Sequence, residues 1–386
     1  MILYEPSALV VYRDYGIMLP IAPDRGKRVL EYLDINNVIN KFSVFDFSSA
    51  RKYLTEKQND NDYRGILNTA LISRKFLLDR DDLERVHNKN FVERLYSQNV
   101  NEALLNTFEL IDKDGNLNRY EPEKAARPLS DLFQILLAQA GGTYLACLLA
   151  LSDNVLPRKP LSEDTNFSVN KKPGFCFYLG GGMHHARSDA PSGFCLINDV
   201  TAAAFKIFSE KFARRIWIID LDAHKGDGSA EIVYLKRTRK EINRRDIMTL
   251  SIHMAKGWPL DIENLKSAEE GKAPLLPSDV DIAIEAGEEN YYVSRLAEGI
   301  SRLETLCEGY PDFAVVVDGA DPYERDELPS ASLLRLTLEQ CIERDLYLYN
   351  YLQSRNISSA WIQAGGYGER AWEPAAYFLK EISGFV

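Results

Sequence analysis

Two runs in the second half of the chain, IWIID from Ile216 and FAVVVD from Phe313, are apolar on both of their alternating faces. A strand of that kind has no side that tolerates water, so it belongs in the middle of a sheet covered by helices above and below. Further β-rich runs are FCFYLG from Phe175, IMTLSI from Ile247, VDIAIE from Val280 and AWIQAG from Ala360. Between several of them lie amphipathic helical patterns, Asn198 to Phe212, Tyr292 to Leu306 and Leu334 to Leu352. The alternation predicts an α/β fold, a mostly parallel central sheet with helices on both faces. The stretch Leu129 to Ala150 is also helical in pattern but is expected to be interrupted at Gly141 and Gly142, whose smallness permits close approach to a neighbour. No repeat and no Pro/Ser-rich linker divides the chain, so residues 1–386 are read as one domain; 155–174 and 264–279 are the expected long loops.

Composition narrows the function classes. With 45% hydrophobic and 11% aromatic residues, the chain is not disordered as a whole. No apolar run is read as reaching the roughly 18 residues that span a bilayer, and the N-terminus lacks the basic-then-apolar pattern of a secretory signal. Five cysteines without a CxxC pair point to reduced thiols and a cytoplasmic setting, not a disulfide scaffold or zinc knuckle. The formal net charge of −11 argues against direct nucleic-acid binding and modestly favours cationic substrates. The basic stretch KRTRKEINRR, from Lys236 to Arg245, reads as a solvated helix face.

In open α/β sheets ligands collect at the carboxyl ends of the strands, and the unusual polar residues fall there. GGGMHH follows FCFYL, DAHKGDG follows IWIIDL, GADP follows VVVD and GGYGER follows WIQA. With side chains repeating every two residues, Asp220, Asp222 and His224 share one face of their strand, while Leu221 and Ala223 take the other. Three such polar groups are costly to bury unless a cation compensates them, and carboxylate and imidazole are ordinary zinc or iron ligands. Asp321, just past another buried strand, FAVVVD, is the best third ligand, with Asp318 supporting the turn. Two carboxylates and one histidine leave a coordination place open, which suits catalysis and calls for a separate base. His184 and His185 supply it, oriented by Asp220 and Asp227. Tyr367 follows two glycines and can donate a hydrogen bond to an oxyanion, or be no more than a packed aromatic in a turn.

These motifs resemble the histone deacetylase superfamily, of arginase–deacetylase fold. The likeness runs collinearly through Gly180 to Ala204, Ile219 to Gly228, Met248 to His253, Asp318 to Leu328 and Ala364 to Arg370, with weaker similarity over Pro20 to Leu33 and Leu137 to Leu151. It is most like the class IV branch and its bacterial relatives. The resemblance implies zinc-dependent hydrolysis of an amide, with iron as the alternative metal. It implies Asp222, His224 and Asp321 as ligands, His184 and His185 as the base/acid pair backed by Asp220 and Asp227, and Tyr367 as the oxyanion donor. It further implies Gly193 and Phe194 as channel wall, and a structural potassium ion at Asp220, Asp222, His224, Ser251 and Ile252.

The chain departs from the family pattern at Lys225, where better-known branches carry histidine, at Ala364 and Pro329 in place of glycines, and in the loop KGWPLDIENLKSAEEG, where Trp258 is the candidate for the opposite channel wall. The expected partner is an acylated lysine in a protein or peptide. A small acylated amine such as an acetylpolyamine, or a catalytically silent protein that binds acyl-lysine or another partner, are the alternatives. No membrane partner is expected, and the oligomeric state is left open.

Overall fold

The computed structural model describes residues 1–58, 77–152, 172–260 and 275–384. Among these, eight parallel strands form a single sheet: β1 (Ile2–Leu3), β2 (Val44–Phe45), β3 (Phe175–Tyr178), β4 (Ile216–Asp220), β5 (Ile247–Met254), β6 (Val280–Ile284), β7 (Phe313–Asp318) and β8 (Ser358–Gln363). Their order is β2-β1-β3-β8-β7-β4-β5-β6. The six runs read as strands are all present. The two at the far edge, β1 and β2, were not anticipated, because a two-residue strand carries no periodicity to detect.

Alternate residues feed two separate cores. Ile216 and Ile218 of β4 and Val315 and Val317 of β7 enter one, which the helix Leu132–Ser152 covers. Trp217, Ile219, Val316 and Trp361 enter the other, under the helices Tyr292–Cys307, Leu338–Ser354 and Glu373–Ile382. Burial on both faces is what the two fully apolar runs require.

The helix Leu132–Ser152 is continuous, contrary to the expected interruption at Gly141 and Gly142. Burial accounts for this: packing on the sheet outweighs the roughly 1 kcal/mol by which glycine disfavours a helix. A Cβ on Gly142 would run into the rings of Tyr178 and Phe47, so the glycine sets how closely helix and sheet meet. Taken with its preceding turn, Leu129–Ser152 is long and apolar enough to span a bilayer by composition, which amends the reading that no run approaches that length. Since 78% of its apolar window is buried inside the fold, core packing explains its composition.

The long-loop segments 155–174 and 264–279 lie largely outside the described residues. Within the basic stretch Lys236 to Arg245 the helix ends at Thr238, and the rest is turn.

Because every strand runs the same way, the carboxyl ends share one rim. The turns carrying His184 and His185, Tyr367, Asp321, Asp222 and His224, and Trp258 leave β3, β8, β7, β4 and β5, five consecutive neighbours in the sheet.

Candidate metal centre and acyl channel

β4 stops at Asp220, so Asp222 and His224 stand on the turn beyond it and not within a strand. The alternation nonetheless continues, with Leu221 and Ala223 packed in the same core as Trp217 and Ile219. Asp222 and Asp321 are 1% exposed and His224 is 4% exposed. Nδ1 of His224 lies 3.2 Å from Oδ1 of Asp222 and 2.9 Å from Oδ2 of Asp321. One ligand atom from each of the three falls within 4.8 Å of the others. Backbone donors steady the carboxylates: the N–H of Gly365 donates to Asp222 at 3.0 Å and that of Ala223 to Asp321 at 2.9 Å.

Two buried carboxylates facing one another are electrostatically unfavourable unless a positive charge joins them. Burial and the charge of Asp222 push the Asp321 carboxyl up to about 6. Burial works against charge on His224 too, but hydrogen bonds to Asp222 and Asp321 outweigh it and push the imidazole up to about 10. The set therefore attracts positive charge, as protons or as a metal ion. Its donor chemistry, buried position and spacing fit a divalent cation of the zinc or iron kind.

The paired imidazoles face this set, their ring centroids 3.8 Å apart. Nδ1 of His184 lies 2.6 Å from Asp220, and Nδ1 of His185 lies 2.8 Å from Asp227, the first residue of the helix Asp227–Thr238. Their surroundings separate their proton affinities. Burial disfavours charge on both, but Asp220 and Asp222 reverse this for His184, pushing it up to about 9. For His185, burial is reinforced by the neighbouring His184, which brings it down to about 4. At neutral pH the positive charge of the pair therefore sits on His184, and His185 is neutral, with its Nδ1 directed to Asp227.

A cavity reaches this point, bordered by His184, His185, Asp222, His224, Phe194 and Tyr367. Phe194 and Tyr367 face each other with ring centroids 6.3 Å apart. Gly193 has φ +51°, and a Cβ there would strike Trp258 and the His185 ring. Phe194 itself holds a left-handed φ of 63°, uncommon for a side chain of its size. Trp258 stands over the imidazoles, 4.6 Å from His185 and 5.7 Å from His224 between ring centroids, with its edge against Gly193. Of the residues read as a potassium site, Asp220 pairs in register with Ser251, which puts Ile252 beside the Asp222 turn; the N–H of Gly226 donates to the Ser251 hydroxyl at 3.2 Å.

Several supporting residues escaped the sequence reading. Arg25 donates to the carbonyls of Gln363 and Ala364 at 3.0 and 2.8 Å and so holds the turn that leads to Tyr367. Asn198 caps the helix Asp199–Ser209 and donates to the carbonyls of His184 and Ala186 at 2.9 and 3.1 Å. Buried His87 accepts the Asn198 N–H at 2.9 Å and donates to the Arg187 carbonyl, so it brings up the same segment from behind. The Ser330 hydroxyl lies 3.2 Å from Nε2 of His224, and a bond there leaves Nδ1 turned to the carboxylates. Of these, Asn198 lay in the similar stretch Gly180 to Ala204 and Arg25 in the weakly similar Pro20 to Leu33, while His87 and Ser330 lay in neither.

Comparison with known proteins places this geometry in context. The family model described as histone deacetylase domain matches residues 20–380. Histone deacetylase 6 of Arabidopsis thaliana is 25% identical over 358 residues, covering 91% of this chain and 66% of that protein. Acetoin utilization protein AcuC of Bacillus subtilis is 30% identical over 195 residues, covering 50% of this chain and 46% of that protein. The chain thus spans about half to two thirds of the length of these curated relatives. Among solved structures, acetylpolyamine aminohydrolase from Burkholderia pseudomallei superposes with a TM-score of 0.60 at 19% identity over 98% of both chains, a likeness of fold.

Proposed function

The chain belongs to the histone deacetylase family, and on that premise we propose that it is a zinc-dependent amidohydrolase that removes acyl groups, acetyl or longer, from lysine side chains of proteins or peptides. The observation that carries this reading is the convergence of Asp222, His224 and Asp321 with the paired His184 and His185 at the end of one cavity.

When bound by Asp222, His224 and Asp321, the divalent ion would polarise the acyl carbonyl and acidify a water molecule. The protein's own groups do the rest. Phe194 and Tyr367 flank the neutral acyl-lysine side chain on its way in. His185, kept neutral by its burial and by His184, takes the proton from the attacking water. Asp227 holds its ring in place through Nδ1. The Tyr367 phenol, its proton retained because burial and the nearby carboxylates raise its affinity, donates to the developing oxyanion. A protonated histidine of the pair then delivers a proton to the leaving amine. A potassium ion at Asp220, Asp222, His224, Ser251 and Ile252 belongs to the same proposal, supported by the register of β4 and β5. So does a reducing, cytoplasmic setting, supported by five buried cysteines, none of them in a disulfide.

The test is an acyl-chain series on purified protein with metal content measured on the same sample. Acetyl- and myristoyl-lysine peptides and acetylpolyamines are compared, with Tyr367→Phe alongside. Lysine peptides should turn over faster than the polyamines, and Tyr367→Phe should lower kcat about 100-fold or more with metal content intact, the scale of a lost oxyanion donor. Preference for the polyamines would contradict the substrate class, and no turnover of any amide at stoichiometric metal would contradict the enzyme reading.

A further inference from the structure

The helix Leu338–Ser354 contains an arginine that a surface helix has no reason to bury. Arg344 is 1% exposed, and its neighbours Asp345 and Asp318 are 0% and 3% exposed. Removing a guanidinium from water costs several kcal/mol unless its donors are matched. Here they are matched unusually completely. Nε donates to Oδ1 of Asp345 at 2.7 Å and Nη2 to Oδ1 of Asp318 at 2.7 Å. Nη1 donates to two backbone carbonyls, Leu221 at 3.1 Å and Gly319 at 3.0 Å.

Those two carbonyls are 98 residues apart in the chain, on different turns. Leu221 immediately precedes Asp222, and Gly319 lies two residues before Asp321. A single nitrogen thus joins the two turns that carry the carboxylates of the candidate metal centre. The helix that holds Arg344 is itself fixed at its start by a capping box, Thr337 with Gln340. Arginine suits the task, since its planar fork donates in several fixed directions where a lysine ammonium is a single rotating point.

We propose that Arg344 is a positioning residue for the metal centre: its guanidinium, held by Asp318 and Asp345, locks the Asp222 and Asp321 turns to each other, so that the ligands are set before an ion arrives. The inference rests on the reading that Asp222, His224 and Asp321 hold the metal, and the test separates the two. Zinc affinity of the metal-stripped protein is measured by competition with a chromophoric chelator, for wild type, Asp222→Asn, Arg344→Lys and Arg344→Met. The metal reading predicts one strong site in wild type that Asp222→Asn loses. The Arg344 proposal predicts 10- to 100-fold weaker zinc binding in Arg344→Lys, the usual range for partners that orient ligands, and a larger loss in Arg344→Met.

Wild-type affinity in Arg344→Lys, or a fall in metal-free thermal stability with affinity unchanged, overturns the proposal and leaves the metal reading standing. Wild-type affinity in Asp222→Asn overturns the metal reading instead. Hydrogen exchange on the wild-type protein decides the matter if the variants do not fold. The amides of Ala223 and Ala320, bonded to Asp321 and to the Gly365 carbonyl, should stay protected after zinc is removed. Loss of their protection on metal removal means the turns are not set in advance.

Discussion

His87 shows how far a single side chain can act from the place it serves. It is 3% exposed, accepts the Asn198 N–H and donates to the Arg187 carbonyl, a pattern only the neutral ring can make. Burial brings it down to about 4 from the ordinary 6.5. The sign follows: the unfolded chain takes up a proton on His87 as pH falls below 6.5, while the folded protein resists until about 4. This group's contribution to stability is therefore complete above pH 6.5 and is lost on acidification between 6.5 and 4, at up to about 1.4 kcal/mol per pH unit and about 3 kcal/mol in all. Urea unfolding across that range should show the slope in wild type and a shallower one in His87→Gln; equal slopes would remove His87 as a source of acid sensitivity. At this scale the residues offered for chemistry were legible, because Asp222, His224, Asp321, His184, His185 and Tyr367 sit in short motifs at strand ends. Arg344, Ser330 and His87 were not. Each acts on a partner about 100 or more residues away, and Arg344 reads as one more charge in an amphipathic helix.

At the level of elements, the parallel sheet follows from runs that have no polar face, and its helices from the amphipathic stretches between them. The register brings Asp220 beside Ser251 and Asp318 beside Gln363, which levels the ends of β4, β7 and β8 along one rim, while β5 runs three residues further to Met254. Glycine's poor helix propensity predicts an interruption in the helix Leu132–Ser152, yet burial of nearly its whole surface overrides that preference. Gly142 gives a direct check. Gly142→Ala would gain about 1 kcal/mol in an isolated helix. Here the added methyl group meets the Tyr178 and Phe47 rings, and overpacking of this kind costs about 1–3 kcal/mol. Net destabilisation of about 1 kcal/mol in denaturant unfolding is expected; a gain in stability would mean the helix and sheet can separate without loss. The short edge strands β1 and β2 remained invisible in the sequence because Ile2 and Val44 are defined as strand residues only by their neighbours.

For the whole molecule, one sheet gathers five consecutive strand ends, and the two cores on either side hold their turns in fixed relation. That arrangement accounts for how groups between 184 and 367 in the chain meet around one buried point on a protein of net charge −11. The central claim is that this point holds a single divalent ion. Anomalous diffraction from crystals of the zinc-loaded protein tests it most directly. The account predicts one strong peak about 2.0–2.2 Å from Nδ1 of His224 and from a carboxylate oxygen of each of Asp222 and Asp321, on the side facing His184 and His185. Fully loaded crystals with no peak among those three side chains, or with their only peak elsewhere, would contradict it.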